Sequence, residues 1–227
     1  MCGRYVLAQD YEALKKRYGF SGATFPSFEF TPRYNISPGQ LSAAITNSEG
    51  ARIQSMKWGL IPHWAKDPSI GYKLINARSE TVAEKPSFRD AFRKRRCLVP
   101  ASGFYEWQKL PGSKAKQPFY ITCSDRANAD VFSFAGLWSV WDDPDSNNIF
   151  TYTILTTGSN ELMNRIHNRM PVILRKDDES EWLDNKTDLA SLKQLFEPFP
   201  YEQMNAYPVS TMVNSPKNDL PACISPL

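Results

Sequence analysis

The hydrophobic and polar positions along this chain predict many short strands with few helices between them. Apolar and aromatic residues recur in runs of four to eight, bounded by Gly, Pro, Asn and Asp, which is the pattern of strands and turns. The runs at 41–46 and 52–58 flank Asn-Ser-Glu-Gly and predict a hairpin. The remaining strands are predicted at 4–7, 97–99, 103–108, 117–123, 131–138, 149–156 and 172–174.

The predicted helices are short and peripheral. Asp10 suits an N-cap, Tyr11, Leu14 and Tyr18 fall on one face, and Gly19 ends the segment. Other short helices are predicted from Ser87 to Phe92, from Ser159 towards His167, at 178–184 and at 188–196. The basic run at 93–96 is predicted to be a solvated helix end, and the C-terminal tail to be irregular.

The order of these elements favours one fold class. Strands do not alternate regularly with long helices, so a doubly wound parallel sheet is disfavoured. We expect an α+β fold, with a mostly antiparallel, barrel-like β core and peripheral helices. A chain of 227 residues can form one core, and residues 1–227 are predicted to be a single domain. Trp58, Trp107 and Trp138 are expected in that core.

The composition is that of an ordinary folded protein. Hydrophobic residues make up 41% of the chain and aromatic residues 13%, which fits a β-rich core. The net charge of +3 is only a weak indication of an anionic partner. No apolar run approaches the ~20 residues that span a bilayer, and none resembles a signal peptide. We therefore expect a cytoplasmic protein without membrane association.

The cysteines and histidines argue against disulfides and bound metal. No two of the four cysteines have CxxC spacing, and neither histidine belongs to a cluster with metal-ligand spacing. No metal or other cofactor is expected. The residues concerned are Cys2, Cys97, Cys123, Cys223, His63 and His167.

Cys2 is the first candidate for chemistry. Removal of Met1 before this small residue would leave an α-amine and a thiol on neighbouring carbons. Such a pair reacts with an aldehyde, since the amine forms an imine and the thiol closes it to a five-membered thiazolidine. An α-amine has a pKa of about 7.7–8.0, so part of it is neutral near pH 7. Ring closure is intramolecular and gains a large effective molarity.

Seven segments in a fixed order resemble one known family. They are Met1–Tyr5, Arg33–Pro38, Trp58–Pro62, Ile75–Thr81, Arg96–Pro100, Gly103–Trp107 and Ile166–Pro171. Together they resemble the SRAP family, the SOS-response-associated peptidase-like proteins that include bacterial abasic-site sensors. The resemblance runs from Cys2 to about Asn214 and leaves 215–227 as a tail.

The resemblance implies roles for four residues. Cys2 would be the crosslinking residue, and Asn76 would hydrogen-bond near its reacting amine and thiol. Glu106 would be the acid that protonates the ring oxygen of an abasic sugar and so exposes its aldehyde. His167 would assist proton transfers during imine formation and steady the open sugar.

Three arginines each stand two residues after one of these candidates. Arg4, Arg78 and Arg169 are predicted to clamp phosphates, because a guanidinium donates two parallel hydrogen bonds. Arg169 has the alternative role of bracing His167. Trp64 is predicted to be either an exposed ring on which a base stacks or a core residue.

These features favour covalent capture of abasic sites in single-stranded DNA by a monomer. Two other functions stay open at this point. One is a cysteine peptidase with Cys2 as nucleophile, His167 as base and Asn76 or Glu106 as the orienting residue. The other is a module that binds intact single strands by stacking and charge alone, which gives no reason for a cysteine at position 2.

Overall fold

The computed structural model describes residues 2–19, 23–24, 31–46, 52–123, 131–143, 145 and 147–227. Its strands are β1 (Tyr5–Leu7), β2 (Ala23–Thr24), β3 (Arg33–Ile36), β4 (Leu41–Thr46), β5 (Arg52–Trp58), β6 (Asn76–Arg78), β7 (Arg96–Ala101), β8 (Gly103–Lys109), β9 (Lys116–Cys123), β10 (Phe132–Asp142), β11 (Asn148–Gly158), β12 (Arg169–Pro171), β13 (Ile173–Leu174) and β14 (Met204–Pro208). Its α-helices are α1 (Tyr11–Tyr18), α2 (Arg89–Lys94), α3 (Glu161–Asn164), α4 (Asp178–Leu183) and α5 (Leu189–Gln194).

Strands β5, β4, β7, β10 and β11 close into a barrel. Neighbours along this path pair antiparallel, and β11 then pairs with β5 in parallel, with Thr151 opposite Lys57 and Tyr152 opposite Trp58. That last pairing removes the two free edges which an open sheet would have. Strands β6 and β12 also lie beside β11.

A five-stranded antiparallel sheet packs against this barrel, in the order β14, β9, β8, β1 and β3. Tyr5 of β1 joins the two units. Its ring makes edge contacts with Trp58 at 5.2 Å and with Phe134 at 5.9 Å between centroids. Its hydroxyl hydrogen-bonds that of Tyr152 at 2.8 Å. A strand that begins at residue 5 is therefore anchored in the main core, and this fixes the residues just before it.

The predicted fold class is confirmed, and so are most of the predicted elements. Asp10 caps α1 by accepting from the Ala13 amide, and Gly19 ends the helix with φ of 64°. Strands β4 and β5 form the predicted hairpin, whose turn at 47–50 lies outside the described residues. Trp58 is a core residue, whereas Trp107 and Trp138 are only partly buried.

Three local predictions are wrong. Helix α2 follows Phe88 and has no side-chain cap, so Ser87 does not cap it. The basic run is not wholly solvated, because Arg96 is buried and donates to the carbonyls of Trp182 and Asp184, both at 2.6 Å. The C-terminal region is not entirely irregular, because Met204–Pro208 adds β14 to the edge of the sheet.

Close packing of two glycines shapes the loop that delivers β6. Gly59 has φ of 123°, and a Cβ built on it would lie 2.7 Å from the carbonyl oxygen of Gly71. Only glycine fits this approach without a shift of backbone. At the end of the same loop, the Trp58 indole donates to the Ile75 carbonyl at 2.9 Å. Asn76 begins β6 directly after this anchor.

Candidate functional site

Cys2 lies just before β1, at the junction of sheet and barrel. It is fully buried and belongs to the main hydrophobic core. The Tyr105 amide donates to the Arg4 carbonyl at 3.0 Å, which continues the pairing of β1 with β8 towards Cys2. The N-terminal arm is therefore held by backbone pairing rather than by side chains alone.

Asn76 reaches Cys2 from the barrel side. Its side-chain Nδ2 donates to the Cys2 carbonyl oxygen at 2.7 Å. Its Oδ1 is buried and has no hydrogen-bond partner within the part of the chain that the structure describes. A buried, unused acceptor costs free energy. This amide oxygen is thus available to a donor on the neighbouring Cys2 residue.

Glu106 lies on β8 and is 3% exposed. Side chains alternate along a strand, so Glu106 shares the face of Phe104, which is the face of the main core. The pKa of the Cys2 thiol is raised above its ordinary range, first by burial and second by the charge of Glu106. The Glu106 carboxylate is therefore an electrostatic neighbour of the thiol, which stays protonated near pH 7.

His167 lies in the loop between α3 and β12. Its backbone amide donates to the Met163 carbonyl at 2.7 Å, and the Arg169 amide donates to its Nδ1 at 3.1 Å. The same Nδ1 also lies 3.3 Å from the Arg169 carbonyl oxygen, so both contacts hold the ring against the backbone of Arg169. His167 borders a cavity together with Trp107, which follows Glu106 on β8.

Arg4 joins the N-terminal arm to distant parts of the chain through one end of its guanidinium. One of its terminal nitrogens donates to Asn35 Oδ1 at 2.6 Å and to the Val213 carbonyl at 2.7 Å. Its charged head also lies 5.9 Å from the centroid of the Trp107 ring. Burial lowers the pKa of Arg4. One terminal nitrogen of Arg4 thus has protein partners, and the predicted contact of Arg4 with a phosphate stays a prediction.

Asn35 is the residue that sequence reasoning missed. It is fully buried, and its Nδ2 donates to the carbonyls of Val213, Ser215 and Asn218 at 3.2, 3.0 and 2.6 Å. The amides of Tyr34 and Asn35 in turn donate to the Asp219 carboxylate. The signal was its place in the Arg33–Pro38 segment, which was used only to support the family resemblance.

Arg78 of β6 and Arg169 of β12 lie on either side of the end of β11, and their side chains differ in exposure and in partners. Arg78 is exposed and, by strand alternation, shares the face of Asn76. Arg169 pairs with Glu80 and donates to the Thr156 carbonyl at 2.6 Å. Its hydrogen bond is the main reason that the pKa of Glu80 is lowered. Arg169 is thus a brace beside His167, and Arg78 keeps an exposed cationic head.

Trp64 is 50% exposed, in agreement with the exposed-ring alternative. It lies on the loop after β5, between Ile61 and Ala65, which pack on Trp141. Within the described ranges, no three His, Cys, Asp or Glu side chains are grouped as metal ligands would be. None of the helices in the described part of the chain has the length and apolar character needed to cross a bilayer.

Comparison with known proteins places this arrangement in a family. The family model for SOS response associated peptidase (SRAP) matches residues 1–216. The chain is 44% identical to the abasic site processing protein YoqW of Bacillus subtilis, over 99% of both chains. It is 31% identical to the abasic site processing protein HMCES of Xenopus tropicalis, over 99% of this chain and 78% of that one.

A solved structure gives the same result for the fold. A protein from Bacteroides thetaiotaomicron superposes with a TM-score of 0.90 at 29% identity, and each chain is covered completely. A family match over nearly the whole chain and a relative at 44% identity lead to one conclusion. The chain belongs to the SRAP family.

Proposed function

We propose that this chain captures abasic sites in single-stranded DNA by forming a thiazolidine with mature N-terminal Cys2. The lesion is shielded because the resulting DNA–protein crosslink keeps the strand intact. The observation that carries the proposal is the Asn76 side chain, which holds the Cys2 carbonyl at 2.7 Å and keeps a buried acceptor beside it. Relatives named for abasic site processing support the same substrate.

The chemistry proceeds in two bond-forming steps without oxidation or reduction. The neutral α-amine attacks the aldehyde carbon of the open sugar and releases water, which leaves an imine. The thiol sulfur then adds to the imine carbon, its proton moves to the nitrogen, and the ring closes. Both steps require removal of Met1, because an acylated nitrogen cannot form the imine.

Asn76 has the role of orienting the amine. Its Oδ1 can accept a hydrogen bond from the Cys2 α-amine, while its Nδ2 donates to the Cys2 carbonyl. An amide does not titrate near neutral pH, so it orients the nucleophile without taking its proton.

Glu106 has the role of moving protons beside the thiol. In its acid form it protonates the ring oxygen of the closed sugar, and in its carboxylate form it accepts the thiol proton. The second transfer is needed because the raised pKa keeps the Cys2 thiol protonated. His167, whose ring is held at Nδ1 by the backbone of Arg169, assists the transfers at the sugar and steadies its open form.

A cysteine peptidase is the less favoured function. Peptidase nucleophiles are thiolates whose pKa is lowered by a nearby cation. Burial instead raises the pKa of the Cys2 thiol, and the Glu106 carboxylate, which also raises it, outweighs the N-terminal amine, which lowers it. The burial and charge at Cys2 therefore disfavour the pair of a Cys2 nucleophile and a His167 base that a cysteine peptidase would use.

The deciding experiment separates the amine of Cys2 from its thiol. Wild-type protein and Cys2→Ala are incubated with a single strand that carries one abasic site, then denatured and run on a gel. The wild type should give a shifted band that survives denaturation. Cys2→Ala keeps an N-terminal amine, so it should give an adduct only after borohydride trapping. It should also cleave the strand, since the imine promotes loss of the 3′ phosphate.

The matched control inserts one Ala between Met1 and Cys2. This insertion keeps the Cys2 thiol but moves the free α-amine to the inserted Ala. Intact-mass measurement should show the wild type without Met1, and the insertion variant should form no crosslink. Crosslinking by the insertion variant at the wild-type rate would exclude the α-amine. Cleavage of a peptide with no DNA adduct in any variant would favour the peptidase.

A further inference from the structure

Trp58 is a buried residue that contacts both segments of the chain from which the site is built. It ends β5 and is 1% exposed. Its indole Nε1 donates to the Ile75 carbonyl at 2.9 Å, one residue before Asn76. Its ring also makes an edge contact with Tyr5, three residues after Cys2, at 5.2 Å between centroids. One side chain therefore links the segment of Asn76 to the segment of Cys2.

Trp58 is itself held by the closed barrel. Its backbone amide donates to the Gln40 carbonyl at 2.9 Å, and its carbonyl accepts from the Gly39 amide at 2.8 Å. Its ring stacks on Tyr152 at 6.3 Å between centroids, with an interplanar angle of 9°. Tyr152 is the residue opposite Trp58 in the β5–β11 pairing that closes the barrel. The position of the indole N–H is therefore set by the barrel and not by the loop that it anchors.

The start of β6 depends on two hydrogen bonds to one carbonyl. The Ile75 carbonyl accepts from the Ile154 amide of β11 at 3.2 Å and from the Trp58 indole at 2.9 Å. Strand β6 has only three residues, so its pairing with β11 holds its first residue weakly and the indole supplies the second contact there. Asn76 then donates to the Cys2 carbonyl at 2.7 Å. Because hydrogen bonds weaken steeply when their geometry is lost, a shift at Ile75 changes how Asn76 meets Cys2.

We propose that Trp58 is a positioning residue for the capture reaction, which holds Asn76 at the distance from Cys2 where its amide orients the α-amine. This inference rests on the proposed function, because the amine has its role there. Trp58 supplies no proton and no charge, and its burial keeps it from the strand. It acts through Asn76, and this separates it from a residue that only stabilises the fold.

The test is Trp58→Phe, which keeps an aromatic ring against Tyr5 and Tyr152 but removes the indole N–H. The Ile154 amide still serves the Ile75 carbonyl, so the substitution leaves no buried acceptor unpaired and the protein should fold.

The matched control is Trp182→Phe. Trp182 is also fully buried, and its indole donates to a backbone carbonyl, that of Cys97, at 3.0 Å. Its ring packs on Phe92 and Phe196, at 6.1 and 6.2 Å between centroids. The two variants thus make the same chemical change in one protein core, at Ile75 in the first and at β7 in the second.

The crosslinking rate should separate the two variants. For Trp58→Phe the maximal rate should fall by about 10–100-fold, since misplacement by about 1 Å can reduce a rate by two orders of magnitude. Its half-saturating strand concentration should stay that of the wild type. Trp182→Phe should lower the unfolding midpoint similarly and keep the wild-type rate. A wild-type rate in Trp58→Phe, or an equal loss in Trp182→Phe, would overturn the positioning role.

A double-mutant cycle tests whether the effect passes through Asn76. In an Asn76→Ala background, Trp58→Phe should slow crosslinking no further, because the group that it positions is absent. Equal fold losses in both backgrounds would show that Trp58 acts independently of Asn76 and would overturn the proposal.

The Asn76 side chain can also be followed without DNA, by NMR of isotope-labelled protein. Trp58→Phe should move the Asn76 side-chain amide signals towards those of a free amide, while Trp182→Phe should leave them in place. Unmoved Asn76 signals in Trp58→Phe would overturn the positioning role. Absence of wild-type crosslinking would refute the proposed function instead, and moved signals would still support control of Asn76 by Trp58.

Discussion

Replacement of Asn35 by Ala should destabilise the fold more than its size suggests, because one amide joins the N-terminal arm to the C-terminal segment. Its Oδ1 accepts from Arg4 at 2.6 Å, and its Nδ2 serves three backbone carbonyls. A hydrogen bond to a charged group contributes about 1.5–3 kcal/mol, and a neutral one about 1 kcal/mol. Two amide hydrogens count as two neutral bonds, so the expected loss is about 3.5–5 kcal/mol.

Urea unfolding followed by tryptophan fluorescence measures this loss. With a slope of about 3 kcal/mol per M, the midpoint should fall by roughly 1.2–1.7 M. Asn218→Ala is the matched control. It keeps the backbone carbonyl that Asn35 uses and loses only a side-chain bond to the Met212 carbonyl at 2.8 Å. Its midpoint should fall by about a third of a molar.

The effect of Asn35→Ala on crosslinking and DNA binding tests whether Arg4 holds the N-terminal arm or contacts a phosphate. Since Arg4 is held by Asn35, the folded Asn35→Ala protein should crosslink more slowly through misplacement of Cys2, at an unchanged salt slope of binding (the slope of log affinity against log salt). An Asn35→Ala midpoint equal to that of Asn218→Ala would refute the reasoning. A flattened salt slope would show that Arg4 contacts phosphate.

Two further substitutions test the site itself. Glu106→Gln should slow crosslinking by about 10²–10⁴-fold, the usual contribution of a general acid, at unchanged strand affinity. It should also lower the pKa of the Cys2 thiol, so that alkylation of Cys2 begins at lower pH than in the wild type; an unshifted alkylation profile would place the carboxylate away from the thiol. Arg78→Ala should weaken binding of every sequence alike and flatten the salt slope by about 0.7, whereas an unchanged slope would give Arg78 a structural role.

The sequence predicted the β-rich core because its strand signals are local. Alternation and turn residues lie within the segments that form β4, β5, β8 and β9. Strand β6 was not predicted as a strand, because three residues carry no measurable period and pairing with β11 decides their conformation. Strand β14 was missed for a related reason, since its pairing with β9 joins residues more than eighty positions apart.

The sequence predicted that Asn76 lies beside Cys2, as the structure shows, but it did not predict the partners of Arg4. Segment order identified Cys2, Asn76 and Glu106. The contacts that redefine the arginines join distant positions, such as Arg4 with Val213 and Arg169 with Glu80. A cation two residues after a catalytic candidate has the same appearance in sequence whether it binds a phosphate or a carboxylate. Only the fold determines which anion it meets.

The raised pKa of Cys2 bears on the order of the two bonds in the proposed capture. A protonated, buried thiol is a poor nucleophile, so it does not compete with the amine for the aldehyde or react readily with stray electrophiles. Once the imine has formed, the former aldehyde carbon is a stronger electrophile, and its bond to the Cys2 nitrogen holds it close to the sulfur of the same residue. The Glu106 carboxylate that raised the thiol pKa can then accept the proton. The feature that argues against a peptidase nucleophile therefore favours an amine-first, thiol-second crosslink.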